Sequence, residues 1–385
     1  MNSIYVFDAE TAEYLGEVDA YTSWILKRSW QGIGDAQITM DSRCAGADLL
    51  QVGRIVTAGN AWHKAVLLTG EKLEARRGGH TRTLTGMELK GIANRRLTVP
   101  PTAQEDENAL GYDRVSGAGE AVLRHYVSRH MISPSSDYRR FPPLQMEEAA
   151  SPLRGKETPW QTRYEKLGDV LTDIAEWCDL GWNIALDYPN RRWLFTVDAG
   201  RDLTVGNGSD SFVAFEEDFH NLTEASYSHD RSSYCNALYL GGAGEDEKRL
   251  VLVRYVDEDH TLLTEPLSGL SRAETLIDTG NLSLPGEVEY EGLHKYVSSF
   301  KPLRMLTAQI SPAGPWKYEE DWDLGDKVTV QLRDPAVGLD VRLDARILAV
   351  EETRERGGLR LSVTFGKEEP TIGDALRGMQ REPVK

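Results

Sequence analysis

The residues best equipped for chemistry are runs of adjacent acids: Glu147-Glu148, Glu216-Glu217-Asp218, Glu319-Glu320 and Glu351-Glu352. Two carboxylates can hydrolyse a glycosidic bond when they face each other across it. Adjacent residues on a strand point to opposite faces, so these acids are expected on solvated faces or in turns. Asp321-Trp322-Asp323 could ligate a cation, but it lacks the acidic repeat of a calcium loop, and a turn or strand entry is predicted there. Gly241-Gly242-Ala243-Gly244 has the glycine density of a phosphate cradle. Without the Lys-Ser/Thr of a P-loop or a strand-to-helix setting, it predicts a hairpin turn. His125 and His130 lie near one helical face with Ser128 between them; no catalytic serine motif accompanies them, and packing is expected.

Metal chemistry fares no better. The eight histidines form no His-x-x-x-His pair and no Cys/His cluster. Cys44, Cys178 and Cys235 are an odd, scattered set and are expected to be small buried residues. No catalytic, cofactor-binding or metal-ligating residue is assigned, and neither an enzyme nor a cofactor is expected.

At 385 residues the chain predicts two or three domains. With 40% apolar and 27% charged residues its composition is that of ordinary soluble proteins. No apolar run approaches the roughly 20 residues that a membrane-spanning helix needs. The start, Met1-Asn2-Ser3-Ile4-Tyr5, has no basic region leading into an apolar stretch, so synthesis in a host cytoplasm without a cleaved signal is expected. The net charge of -17, from 61 acidic against 44 basic residues, repels a phosphate backbone and argues against general nucleic-acid affinity.

The elements that would position these residues are mainly strands, and the fold class read from them is α+β, mainly β. Tyr14 to Val18, Ser23 to Trp30, Ala36 to Met40 and Arg54 to Thr57 are short β-branched and aromatic segments. Lys64 to Arg76 and Thr81 to Gly86 flank Arg77-Gly78-Gly79 as a hairpin, and Pro100-Pro101 with the polar Thr102 to Asn108 marks a boundary. After a flexible Gly117-Ala118-Gly119, Val122, Leu123, Tyr126, Val127 and His130 recur at helical spacing. Leu167, Val170, Leu171, Ile174, Ala175 and Cys178 stripe a second helix that should stop by Gly181, and a hairpin turns at Tyr188-Pro189-Asn190-Arg191.

Strands resume at Ala237 to Leu240 and Arg249 to Val256. Ser271-Arg272-Ala273-Glu274 has capping-box spacing and predicts a helix start, and Val288, Leu293, Tyr296, Val297 and Phe300 stripe another helix. From Arg304 the chain returns to strands, with Leu359, Leu361, Val363 and Phe365 alternating with polar residues. The expected division is 1–100, a first β module; 101–215, an inserted mixed α/β domain; 216–268 with 302–368, a second β module; 269–301, a small helical insertion; and 369–385, a charged tail.

The two strand-rich ends look like copies of one module. Gly53-Arg54-Ile55-Val56-Thr57 aligns with Gly325-Asp326-Lys327-Val328-Thr329. Ala65 to Arg77 with Gly78-Gly79 aligns with Ala345 to Arg356 with Gly357-Gly358, and Thr81 to Gly86 aligns with Arg360 to Gly366. The second copy has a longer connection around Asp334-Pro335-Ala336-Val337-Gly338. A turn glycine, a strand, a long hairpin and a returning strand would make a small barrel or sandwich that must close or pair its edges. Two modules in each of three chains would make a six-module ring.

Asp321 to Val330, then Arg346-Ile347-Leu348-Ala349-Val350-Glu351-Glu352 and Val363-Thr364-Phe365-Gly366, resembles the final tube-type barrel of phage tail hub proteins. Thr85 to Arg96 resembles the segment that closes the first barrel in siphophage hubs and in the amino-terminal region of tail-associated lysins. Arg163 to Leu171, with Gly181-Trp182 after it, resembles the helix of their inserted domain. The resemblance spans most of the chain in the expected order, and such hubs are similar to the baseplate hub of contractile phages.

It implies two tube-type barrels in a homotrimeric, pseudo-sixfold ring at the distal end of a virion tail. The partners implied are a distal tail or tail tube protein ring on one side and tail-tip or fibre proteins on the other. DNA and a tape-measure protein would pass through the lumen without specific binding. Tail-associated lysins continue into a long host-facing or wall-degrading region that is not seen after the second barrel here, so a structural role is expected. The alternatives weighed are a cell-wall hydrolase, on the acid pairs, and a carbohydrate-binding tail module, on the nine Trp and fifteen Tyr.

Overall fold

The computed structural model describes residues 3–366 except 77–78, 103–104, 106–110, 210, 217–218, 233, 258–260, 300–302, 335 and 337–338. The expected turn residues Arg77-Gly78, most of the polar boundary at 102–108, the acids Glu217-Asp218, the helical Phe300, the connection residues Pro335, Val337 and Gly338, and the charged tail 369–385 lie outside the described residues.

The amino-terminal strands are β1 (Ile4–Phe7), β2 (Tyr14–Val18), β3 (Ser23–Ser29), β4 (Asp35–Asp41), β5 (Ile55–Ala58), β6 (Val66–Arg76) and β7 (Gly79–Glu88). A mixed segment follows: β8 (Asp113–Ala118), α1 (Gly119–Val127), β9 (Leu144–Met146), β10 (Glu157–Thr162), α2 (Leu167–Cys178), β11 (Gly181–Asp187) and β12 (Arg192–Asp198). Then come β13 (Asp202–Leu203), β14 (Ala214–Glu216), β15 (Leu222–Asp230), β16 (Ala237–Gly241), β17 (Val251–Val256), β18 (Leu262–Leu263), β19 (Glu274–Asp278) and α3 (Pro285–Ser299). The chain ends in β20 (Leu303–Ile310), β21 (Lys327–Asp334), β22 (Leu339–Glu355) and β23 (Gly358–Gly366).

Both ends of the chain enter one sheet of 14 strands, ordered β15-β20-β23-β22-β3-β4-β7-β6-β5-β1-β2, with β13 and β14 paired to β21 and β21 to β22. The apolar pattern explains why β5 sits inside. All four of its residues are buried, because Ile55 faces a core shared with α1, α2, β11 and β12, whereas Val56 faces the core among β1, β3, β4, β6 and β7. A strand buried on both faces reads as a continuous apolar run. In α2 the apolar stripe at 167, 170, 171, 174, 175 and 178 is buried as its spacing predicts. That helix stops at Asp179, which takes a left-handed conformation at φ 53°.

Repetition is visible in the register. Strands β5-β6-β7 and β21-β22-β23 have the same order and the same antiparallel pairing. Ile55 pairs with Leu67 as Lys327 pairs with Arg346, and the hairpins close on Arg76 with Gly79 and on Glu355 with Gly358. The register slips once in each, between Leu68 and Gly70 and between Ile347 and Ala349. Gly53 and Gly325 open the triplets at φ 91° and 93°. Each donates its N–H to the next strand, to Leu68 O at 2.8 Å and Ile347 O at 2.9 Å. A shared bulge is a designed feature rather than a chance one.

The other two strands correspond as well: β3 and β4 extend the first triplet, and β15 and β20 extend the second. The loop between β3 and β4 is residues 30–34, whereas residues 231–302 separate β15 from β20. That long connection belongs to a second compact unit, Tyr227–Leu306, distinct from the unit of Met1–Ser226 and Thr307–Phe365. It holds the sheet β18-β17-β16-β19 and a core of Leu238, Leu240, Val256, Ile277, Val288 and Tyr296.

Two expectations need correction. Ser271 does not start a helix: it ends a 3-10 turn (Gly269–Ser271), and Glu274–Asp278 is strand β19, parallel to β16 with Ile277 buried. Burying Ile277 beside Leu240 outweighs a local capping signal whose helix would have no apolar stripe. Gly117-Ala118-Gly119 is not a flexible lead-in, since its first two residues end β8 and Gly119 starts α1 packed against Cys178 and Leu180.

Candidate functional site

Among the described residues the acid runs line no common cleft, and Glu319 and Glu352 instead meet at Lys64. Glu351 and Glu352 lie on opposite faces of β22, the second fully buried. Glu147, Glu148 and Glu320 are exposed, and Glu216 lies on β14. Gly241 ends β16 opposite Val251, and Gly242 to Gly244 begin its connection to the antiparallel β17, where Gly242 N donates to Leu250 O at 2.7 Å. The three cysteines form no disulfide with one another; Cys178 is buried, but Cys44 and Cys235 are only half-buried.

What the fold does concentrate is charge at the seam between the two strand sets. Strand β3 pairs antiparallel with the second half of β22, from Ser29 opposite Ala349 to Ser23 opposite Glu355. Beneath it Lys64 and Glu352, each about 1% exposed, form an ion pair. Lys64 Nζ also lies 2.7 Å from Glu319 Oε1 and 4.5 Å above the Tyr318 ring. Arg354 caps the other Glu352 oxygen at 2.7 Å, and Tyr318 donates its hydroxyl to Glu352 at 3.1 Å. From β3, Arg28 donates to Tyr318 Oη and to Asp323 Oδ1, both at 2.9 Å.

Burial pushes the Glu352 carboxyl up, but Lys64 and Arg354 more than offset it and hold it below the ordinary carboxylate range. Glu319, raised by burial but hydrogen-bonded to His63 and facing Lys64, is brought down to about 2. His63, Glu319 and Asp323 place three potential ligand atoms within 4.8 Å of one another. Lys64 and Arg28 already supply the positive charge a metal would bring, so the donor set fits an ion-pair network. Trp30 fixes the same seam sterically: a Cβ on Gly325 would lie 2.3 Å from its ring, and one on Gly181 2.4 Å. Arg346 ties Asp179, at the end of α2, to β22 at 2.7 Å.

A second cluster joins residues that the sequence leaves apart. Asp113, 3% exposed at the start of β8, lies 2.9 Å from both His125 Nε2 on α1 and His130 Nε2 in the following π-turn. Burial pushes Asp113 up, and the two imidazoles more than reverse this. Burial also pushes His130 below its ordinary value despite the carboxylate. The helical spacing finds the two histidines; their partner, 12 residues upstream of His125, carries no local signal. Ser128 begins the π-turn and is not part of the cluster, whereas Arg129 Nε lies 3.4 Å from Asp113 Oδ2.

The fold held by these contacts is that of phage tail proteins. The tail protein from Neisseria meningitidis MC58 aligns over 95% of this chain and 96% of its own, at 9% identity and a TM-score of 0.52. The 43 kDa tail protein of prophage MuSo2 from Shewanella oneidensis aligns over 94% and 97%, at 11% identity and 0.52. Prophage tail protein gp18 from Listeria monocytogenes EGD-e aligns over 98% of both chains, at 10% identity and 0.53. At such identities the likeness establishes the fold alone. The chain belongs to the Siphovirus ReqiPepy6 Gp37-like protein family, whose model matches residues 3–367. No curated protein matches the sequence.

Proposed function

We propose that this tail protein is a structural hub, in which three copies of the chain form a pseudo-sixfold ring joining the tail tube to the host-contacting tip. The observation that carries this reading is the repeated strand triplet, with its matching register, bulge and opening glycine, inside one chain. Each chain would supply two tube-type barrels, one built on β1 to β7 and one on β13 to β15 with β20 to β23. The seam between them is stitched by buried ion pairs, which suits a fixed ring better than an opening cleft.

In this reading the ring sits at the distal end of the virion tail. A distal tail or tube protein lies on one side, tail-tip or fibre proteins lie on the other, and DNA and a tape-measure protein pass through without specific binding. The chain does no catalysis. Native mass spectrometry or light scattering of the full chain should find trimers, or monomers that become trimers at high concentration. A stable dimer in a tail-like assembly would reject the ring, and hydrolysis of purified peptidoglycan would reject the non-enzymatic role.

A further inference from the structure

The sheet of the second compact unit is apolar on both faces, and α3 covers one of them. Successive residues on a strand point to opposite sides, so the pairing of β16 with β17 and β19 sorts their side chains into two faces. Leu238, Leu240, Leu252, Val256 and Ile277 lie under α3. A Cβ on Gly292 of α3 would sit 2.6 Å from Leu240, and Arg254 reaches from the same face to Glu289 of α3 at 2.6 Å. On the other face Val253, Tyr239 and Leu276 stand opposite one another across the three strands. Leu276 is 59% exposed and Val251, on the same face, 43%. Arg272 closes one end of this strip, donating to Tyr239 Oη at 3.1 Å and lying 5.4 Å above the Tyr255 ring. Arg249 and Asp278 pair across the other end at 2.8 Å. Among the described residues α3 is the only α-helix of the unit. A sheet apolar on both faces is ordinarily covered on both, and an open apolar strip marks a contact site.

The sequence beyond β23, outside the described residues, supplies a matching surface. Ile372, Ala375, Leu376 and Met379 recur at i, i+3, i+4 and i+7, which predicts a helix with one apolar stripe. Thr371 and Asp374 have the spacing of a helix start. Gly373 and Gly378 each weaken such a helix by about 1 kcal/mol, so a stretch this short needs a surface to fold against. The segment also begins in the right place. Gln309, near the end of β20, and Arg360, near the start of β23, line one cleft, so these neighbouring strands run antiparallel. The end of β23 at Gly366 therefore lies toward Leu303, the start of β20, which belongs to the second unit. Residues 367–371 span up to about 17 Å when extended, more than the roughly 10 Å between packed layers.

We propose that residues 371–379 fold as a helix onto the open face of this sheet, with Ile372, Leu376 and Met379 set against Val253, Tyr239 and Leu276. The sheet is then covered on both faces, by α3 on one and by the chain's own carboxy-terminal segment on the other. Burial of the exposed Leu276 and Val251 drives the docking, and the charged pairs at the two ends of the strip bound it. The contact lies within one chain and holds whether or not the ring forms.

The test combines Leu276→Cys with Leu376→Cys, and separately with Arg377→Cys, in the full chain. Single variants measure background from Cys44, Cys178 and Cys235. On oxidation at low protein concentration, the disulfide within one chain should form about fivefold more with position 376 than with 377, because 377 lies on the opposite side of the helix. Hydrogen exchange reads the same contact without cysteines. Leu376→Asp, and truncation after Gly366, should each speed exchange of the 251–255 and 274–278 amides about tenfold and leave β3 and β22 unchanged. Equal disulfide yields at 376 and 377, or exchange indifferent to both the substitution and the truncation, overturns the proposal. A disulfide that joins two chains overturns it as well, and gives the open face to a second copy.

Discussion

Lys64 and Glu352 are 288 residues apart in sequence and share a site from which water is excluded. Removing Lys64 leaves the buried Glu352 carboxylate to Arg354 and the Tyr318 hydroxyl, so Lys64→Ala should cost about 3 kcal/mol in denaturant unfolding, the lower end for a broken buried pair. The double variant Lys64→Met, Glu352→Leu should recover most of that, because the desolvation cost disappears with both charges. The same cluster sets an acid limit. Glu319 titrates at about 2 against an ordinary 4.5, so its contribution is fully present above about pH 4.5 and is lost as pH falls toward 2. Glu319→Gln should therefore narrow the stability gap between pH 5 and pH 2, measured by urea unfolding across that range. A gap as wide as in the unsubstituted chain would contradict the assignment.

At the scale of elements, the two opening glycines make a controlled comparison. Both adopt a left-handed φ near 90°, which costs an L-residue roughly 1–2 kcal/mol. At Gly53 that is the whole penalty in the isolated chain, since the space around it is open. Gly325→Ala adds a collision with the Trp30 ring at 2.3 Å, and overpacking of this kind costs about 1–3 kcal/mol more. Thermal unfolding should place Gly325→Ala clearly below Gly53→Ala; equal midpoints would mean that Trp30 yields freely. The elements themselves were largely legible. Period-two segments became β3, β4, β6, β7 and β23, and a 3.6-period stripe became α2, since burial on one face is written locally. Very short or mis-signalled segments were not: β1 and β14 are only four and three residues long, and β19 follows a capping signal.

At the scale of the whole molecule, residues 231–302 occupy the place of a short turn. Replacing them with a five-residue turn like 30–34 should let β15 and β20 close as β3 and β4 do, because insertions at hairpin ends leave the flanking ladder intact. Circular dichroism and a single cooperative melt would check that; loss of the β signal would show the insert to be needed for folding. Charge belongs to this scale too. In the proposed ring, residues lining the channel should include more Asp and Glu than Lys and Arg, since a cationic wall would hold phosphates through counterion release. Exchanging several lining carboxylates for Lys should slow genome delivery without preventing assembly. Unchanged delivery would leave the net charge of -17 explained by solubility alone.

The sequence by itself determined the mainly β class, the α2 stripe, the repeat between the two ends and the absence of any motif for metal or phosphate chemistry. Each of these is encoded in spacings shorter than about 15 residues or in direct likeness between segments. Only the tertiary structure decided that Arg28 meets Asp323, that Asp113 meets two histidines, and that Trp30 fills the space left by Gly181 and Gly325. It alone revealed that β22 from Ala349 to Glu355 is paired along both edges, to β23 and to β3. Strand pairing satisfies backbone groups that every residue carries, so the sequence of a strand says little about which neighbour completes it.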